Sequence, residues 1–334
     1  MKKPTKILLN LFFLGLGIFL LYLALRNQDL DSLFEEIKKV NLFWVFVIAG
    51  ISIFNQIIRA LRWHMLSKAT GLSFRLVPMF WALIFGFMVS LAIPRFGEIS
   101  RSLVLSRKDS DQFAPLFGTV IVERAIDVLC LGLVQVLAFS LQFDLLWNYF
   151  FAPIWESLSR RLWALQGIIY LLVFLFGLLL FISWYQRKSL LQSRIIQWAI
   201  HFAQRIWMGI TSVFKLPSPF LFLAYTFLIW YTYFLMSYLW FFSLEATQHL
   251  DMTAGLTILA LGSLARLAPT QGGGLGAYQL MVTQGFVLLG IAEIYGAALA
   301  IIIHSTQIVL TLVLGLFSLL YFSFYTRESN LNSE

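Results

Sequence analysis

Long apolar runs separated by short polar segments organise this chain. Full-length runs cover residues 7–25, 41–60, 119–141, 164–185, 219–243 and 294–323. Each is long enough to cross about 30 Å of hydrocarbon at about 1.5 Å per helical residue. Two further runs are broken. Residues 77–94 end at Pro94 and the tip Arg95-Phe96-Gly97, then resume as Glu98 to Leu105. Residues 253–269 end at Pro269 and Thr270-Gln271-Gly272-Gly273-Gly274, then resume as Leu275 to Ile291. Proline removes a backbone donor and glycine loosens the chain, so each break predicts the tip of a helical hairpin.

Two segments carry a helical stripe instead. Residues 30–40 place Leu30, Leu33, Phe34, Ile37 and Val40 on one face, against Asp31, Glu35 and Glu36. Residues 190–214 space Arg194, Gln197, His201 and Arg205 three to four apart, with Ile195, Trp198, Ile206 and Trp207 elsewhere. Both patterns suit helices lying on a membrane surface, and 186–218 is expected to be a cytoplasmic interfacial segment.

Composition narrows the class. The 334 residues are 60 % hydrophobic and 12 % charged, where a soluble domain has about 45–50 % apolar and about 25 % charged residues. Disordered, collagenous and disulfide-scaffold classes are excluded, and the single cysteine, Cys130, has no partner for an intramolecular bridge. The fold class expected is an all-α polytopic membrane protein with six full spans and two Pro/Gly-tipped re-entrant hairpins, all in one integral membrane domain. The first run, preceded by Lys2, Lys3 and Lys6, is too long for a signal-peptide core and has no small-residue cleavage site before Arg26, so it reads as a retained span.

The net charge of +8 comes from basic residues scattered between apolar runs, with no arm or stripe for nucleic acid. If both broken runs crossed fully, 10 basic residues would face inside and 12 outside. If both are re-entrant, 15 lie inside and 5 outside, with Arg95, Arg101, Arg124 and Arg266 at membrane depth. Only the second threading obeys the positive-inside rule. It predicts a multi-pass protein of the cell membrane with both termini cytoplasmic. Each half then reads span, span, hairpin, span, with repeat 1 over about residues 7–141 and repeat 2 over about 164–323. Pro94 and Pro269 each precede the next span by 25 residues. Because the halves begin on opposite sides, the expectation is an inverted repeat, with a site between paired broken helices.

Ionisable residues inside a bilayer are costly, about 2.5–3.5 kcal/mol each at a helix centre, and so mark sites. Arg95 lies in the first tip, Glu98 and Arg101 share a face of the returning arm, and Glu123, Arg124 and Asp127 occupy the following span. The acids are expected to neutralise the arginines and hold their forks in place. Arg95, Glu98, Arg101 and Arg124 are the candidate headgroup-binding residues, since guanidinium forks near a helix N-terminus suit a phosphate. Arg59, Arg62, Glu123 and Asp127 are candidates for a supporting ion network; the alternative reading makes Glu98, Arg101, Glu123, Arg124 and Asp127 a structural network that locks hairpin to span, and the two are compatible. The second tip offers Pro269, Gly272, Gly273, Gly274, Gly276 and Gln279, where missing Cβ atoms let a backbone or ligand approach closely.

Other chemistry is sparse. His64, His201, His249 and His304 lie too far apart for a metal centre, and His304 reads as a hydrogen bonder within the bundle. No metal, cofactor or catalytic constellation is expected, and no nucleotide loop is present.

Arg59-x-x-Arg62-Trp63, Pro94-Arg95-Phe96-Gly97-Glu98-x-x-Arg101, Glu123-Arg124-x-x-Asp127 and Pro269 with Gly273-Gly274-Leu275-Gly276 occur in this order. Together they resemble the flippase-like transmembrane domain of lysylphosphatidylglycerol synthases over nearly the whole chain. In the bifunctional relatives that domain moves an aminoacylated phospholipid between leaflets, and a separate soluble domain makes it. Since the sequence stops soon after the last span, the resemblance implies the translocating half without the aminoacyl transferase. One position departs from the family, which often has glutamate where this chain has Gln279. The function expected is a lipid translocase for an anionic or zwitterionic phospholipid or a lipid-linked headgroup. The alternatives are a membrane-embedded transferase or its subunit, using Glu98, Glu123 or Asp127 as base, and a non-catalytic partner that docks a separate lipid-modifying enzyme on 186–218. Oligomeric state is left open.

Overall fold

The computed structural model describes residues 3–26, 28–94, 96–148, 152, 155, 156, 216–268 and 270–331. Arg95, Pro269, the run 164–185 and the amphipathic segment 190–214 lie outside the described residues. Regular structure among the described residues is helical throughout. The chain forms two compact units. In the second, Gln142–Phe214, helix α7 (Phe143–Leu146) is described, with Phe143 stacked on Trp147 at 5.7 Å.

The first unit, Met1–Leu141 with Lys215–Glu334, carries the other helices. These are α1 (Lys3–Leu25), α2 (Leu30–Lys38), α3 (Leu42–Ala69), α4 (Leu76–Ala92), α5 (Phe96–Leu105), α6 (Phe113–Leu141), α8 (Pro219–Leu239), α9 (Met252–Ala265), α10 (Ala277–Leu288) and α11 (Glu293–Leu331). Three of the expected spans, α3, α8 and α11, are apolar and long enough to cross a membrane. Helix α6, at 29 residues, reaches about 43 Å and carries Glu123, Arg124 and Asp127 near its middle. Helix α3 runs nine residues past the expected end at residue 60, because Arg59 and Arg62 are buried against other helices and do not mark a membrane boundary. The re-entrant threading places both on the inner side; without them thirteen basic residues remain there against five outside.

Both broken runs fold as antiparallel helical pairs. In the first, α4 and α5 meet where a Cβ on Gly97 would collide with the Gly86 carbonyl oxygen and the Ser90 hydroxyl. In the second, Gly262 of α9 sits under Tyr278, and Gly285 of α10 under Leu261 and Ile258. Helix α9 starts at Asp251, which accepts from the Ala254 amide (2.8 Å) and the Thr253 hydroxyl (2.8 Å). These bonds hold its carboxyl below the usual carboxylate range, so its contribution is complete at neutral pH and is lost as pH falls through the depressed folded value. Asp251→Ala is expected to cost about 1 kcal/mol and Asp251→Asn much less, because asparagine still caps; thermal unfolding of the two variants checks this.

Packing between the hairpins and the long helices is reciprocal. Helix α4 lies on α11, where Ser318 Oγ donates to the Trp81 carbonyl at 2.7 Å. Helix α9 lies on α6, where Gln135 Nε2 donates to the Ala260 carbonyl at 3.0 Å. Helix α3 packs on α8 through Asn55 Nδ2, which donates to the Ile229 carbonyl at 3.0 Å and to Thr232 Oγ1 at 2.6 Å. The expected stripe on α2 is split. Leu33 is buried and packs with Ile37 against Ala297 and Ala298, and Val40 is buried too, whereas Leu30 and Phe34 remain exposed.

Candidate functional site

The ionisable residues singled out on three helices converge on one carboxylate. Glu123 of α6 is 0 % exposed and faces four guanidinium groups. Arg59 lies at 3.4 Å, Arg62 at 3.6 Å, Arg101 at 3.2 Å and Arg124 at 3.4 Å. Asp127, one turn along α6, takes Arg62 at 2.7 Å and Arg124 at 3.5 Å. Glu98 of α5 pairs with Arg124 at 3.0 Å. The pairs thus run across the helix contacts, Glu98 to α6 and Arg101 to α6, and bind the hairpin to the helix that follows it. Four arginines against three carboxylates leave the cluster at +1 when all are ionised.

Neutral groups support the forks. Arg59 Nη1 donates to Tyr233 Oη at 2.8 Å, and its guanidinium lies 4.8 Å from the centre of the Phe87 ring. Arg62 Nη1 donates to Thr226 Oγ1 at 3.4 Å. Arg101 lies 4.4 Å above Trp63, whose indole N–H donates to Thr119 Oγ1 at 2.9 Å. A cation on an aromatic face is worth about 2 kcal/mol or more once desolvated, so Trp63 accounts for part of the stability of a buried arginine. Of these supports only Trp63 was in view from the sequence, as part of a motif. Thr226 and Tyr233 are 164 and 174 residues away along the chain from the arginines they meet, and their side chains alone do not single them out.

Exposure grades across the cluster. Arg59, Arg62 and Arg101 are buried, while Arg124 and Glu98 keep 34 % and 38 % of their side-chain surface. Arg101 still has two buried donors, Nε and Nη1, without a partner. Each such donor left unpaired costs about 1–3 kcal/mol. The N-terminus of α5 is less open than expected, since Gly97 serves the close contact with α4.

The second tip is a run of left-handed backbone, with φ of 67° at Gly272, 73° at Gly273, 102° at Gly274 and 78° at Gly276. Most of its close neighbours are protein. A Cβ on Gly274 would lie 3.3 Å from the Arg266 Cα, and one on Gly276 would collide with the Gly17 carbonyl of α1. Leu91, near the C-terminal end of α4, lies 3.7 Å from a Cβ built on Gly273, so the second tip touches the first hairpin. Gln279 Oε1 accepts from the Gly276 amide at 2.8 Å, and Gln279 Nε2 meets His304 Nδ1 at 2.8 Å. Arg266 lies 4.9 Å from the centre of the Tyr278 ring, which stacks on His304 at 5.2 Å. Its position at membrane depth was noted in the sequence, but no role followed from it there.

Among the described residues no group of three or more His, Cys, Asp or Glu is placed to hold a metal. An open depression of about 670 Å³ lined by Asp31, Ser32, Phe34, Glu35, Glu36 and Lys38 lies on α2. Its charges include the exposed pairs of Lys38 with Glu35 and Lys39 with Glu36, so the buried arginine cluster remains the stronger candidate.

No curated protein and no solved structure matches the chain. The family described as "Lysylphosphatidylglycerol synthase TM region" matches residues 7–315. That match spans both hairpins and every residue of the charge cluster, so the chain belongs to the lysylphosphatidylglycerol synthase transmembrane-region family and is a helical membrane protein.

Proposed function

We propose that this protein moves the headgroup of an anionic or zwitterionic phospholipid, or of a lipid-linked substrate, between the leaflets of the cell membrane. The observation that carries the reading is the cluster around Glu123. It is +1 overall, has unpartnered donors on Arg101, and opens through Arg124 and Glu98. One phosphodiester would balance that charge, and Glu98 would face an amine on the same headgroup. The acyl chains stay in lipid while the headgroup passes between the hairpins. The reciprocal packing of α4 on α11 and of α9 on α6 supports an inverted repeat with re-entrant hairpins. The positive-inside count supports cytoplasmic termini.

Reconstituted liposomes test the proposal. Labelled phospholipids or lipid-linked phosphates should change leaflet faster with protein than without it; equal rates for both classes reject the reading. Within that assay, Arg101→Lys is expected to slow movement nearly as much as Arg101→Ala, by about tenfold or more. Lysine keeps the charge but cannot reach Glu123 while offering a second planar donor pair. Full activity in Arg101→Lys would mean that a point charge suffices.

A further inference from the structure

The charge cluster leaves one polar constellation of the structure unused: the buried chain from Gly276 through Gln279 to His304 at the second tip. The Gly276 amide can only donate, so the Gln279 end that meets it is the carbonyl oxygen. The amide nitrogen of Gln279 must then face His304, and His304 Nδ1 accepts from it. In the neutral ring the proton therefore sits on Nε2. The tip is thus tied to α11 through Gln279.

This arrangement has no place for a second proton. It can enter only at Nδ1, where it would meet the N–H groups of Gln279 with no acceptor between them. If the amide turns to offer its oxygen, the Gly276 amide faces an NH₂ group and α10 loses its cap. If the ring withdraws, its bond to Gln279 breaks. Either response separates the glycine tip from α11. Arg266, on the tip itself, is the charged group whose field reaches the ring, and Tyr278 is the titratable group stacked on it. Both would press a cationic ring outward or leave it unpaired. Among the described residues, the other close neighbours of the tip are neutral. Helix α1 brings Gly17, Leu20 and Leu21 to the tip, and α4 brings Leu91. The ion pairs of α2 belong to a helix packed on Ala297 and Ala298, about two turns earlier on α11.

We propose that His304 is a proton-binding site that controls the second tip: the neutral ring, through Gln279, holds the Gly276 end of the tip against α11, and protonation at Nδ1 releases it. The released segment is the one that touches the first hairpin at Leu91 and α1 at Gly17. Resting on the translocase reading, the consequence for transport is that tip movement, and with it headgroup passage, is coupled to a proton. The switch itself does not depend on that reading.

The test uses the full chain in lipid bilayers and needs no transport. Histidine ¹⁵N spectra, with the His304 signal identified by its loss in His304→Gln, report the ring. Amide exchange of residues 271–276, corrected for the intrinsic effect of pH, reports the tip. At alkaline pH the ring should be the neutral Nε2–H tautomer. On acidification it should become cationic while tip protection falls in step, by about tenfold for one lost hydrogen bond. His304→Gln should remove the pH response. Gln279→Glu gives a carboxylate that accepts from both Gly276 and a protonated ring, and should move the midpoint of the tip response to higher pH. Tip protection that stays constant while the ring titrates overturns the proposal, as does a pH response that survives in His304→Gln. Liposome assays at matched pH then address coupling separately. A tip that switches in protein that moves no lipid would reject the translocase reading and leave the switch standing.

Discussion

Glu123→Gln is expected to destabilise the protein more than any other single substitution in the charge cluster, by about 3–5 kcal/mol. The four arginines do not depend on Glu123 equally. Arg62 and Arg124 retain Asp127 when it is neutralised. Arg59 keeps a neutral hydroxyl, that of Tyr233. Arg101 keeps only the face of Trp63. The substitution therefore raises the cluster from +1 to +2 and leaves two buried guanidinium groups, those of Arg59 and Arg101, without a carboxylate. Glutamine preserves shape and volume, so a loss of stability reports the charge. Glu123→Asp preserves the charge but is one methylene shorter, and should fall between glutamine and wild type because it cannot span all four partners. Thermal unfolding in lipid nanodiscs measures the series. A glutamine variant as stable as wild type would mean that the arginines carry their charges without this carboxylate, and the cluster would lose its centre.

That prediction also bears on whether the network is a lock or a binding site, a choice the sequence leaves open. The geometry divides the two roles by depth. Around Glu123 the pairs are enclosed and hold α3, α5 and α6 together, which is a structural task. Arg124 and Glu98 lie at the open edge, where a ligand can exchange partners with them at lower cost. Arg101 belongs to both layers, with one nitrogen on Glu123 and two donors free. A buried pair contributes little net stability yet is costly to break, so such a cluster can position an open pair without adding greatly to overall stability.

The hairpins were legible in the sequence because their causes are local. A proline such as Pro94 stops a helix, and Gly272, Gly273, Gly274 and Gly276 permit backbone that other residues avoid. The meeting of Arg101 and Arg124 with Glu123 and Asp127 was legible through cost, since lone charges in an apolar bundle must find each other. Helix ends were less so. A polar residue inside a helix reads as a boundary until a partner is known, and the partner of Arg59 on α8, Tyr233, is 174 residues distant. Gln279 and His304 show the same limit. The sequence marks Gln279 as part of the second tip and His304 as a hydrogen bonder, but only the antiparallel contact of α10 with α11 pairs them, at 2.8 Å. A carboxylate at position 279 would favour a protonated partner, where Gln279 favours a neutral one.

Substitutions along the glycine tip should separate backbone freedom from close packing. Gly276→Ala is expected to cost at least about 4 kcal/mol, and Gly273→Ala only about 1–2 kcal/mol. The two positions have similar φ, 78° and 73°, so the strain of placing an L-residue in the left-handed region is comparable. What differs is the space around the new methyl group. At Gly273 the nearest contact is Leu91 Cδ2 at 3.7 Å, ordinary van der Waals distance. At Gly276 the methyl would collide with the Gly17 carbonyl, stand 2.6 Å from the Leu21 amide nitrogen and 2.9 Å from Leu20 Cβ. Two of those contacts are helical backbone, which cannot swing aside as a side chain can. Relief requires α1 to move off the tip, or the turn before α10 to open, and the second would also strain the bond from Gly276 to Gln279. Gly290→Ala supplies the control, with φ of 81° and no atom within 4 Å of the added Cβ. It should resemble Gly273→Ala in thermal unfolding. If Gly276→Ala matched these two as well, α1 would not be seated on the tip, and the tip would have no backbone neighbour to release.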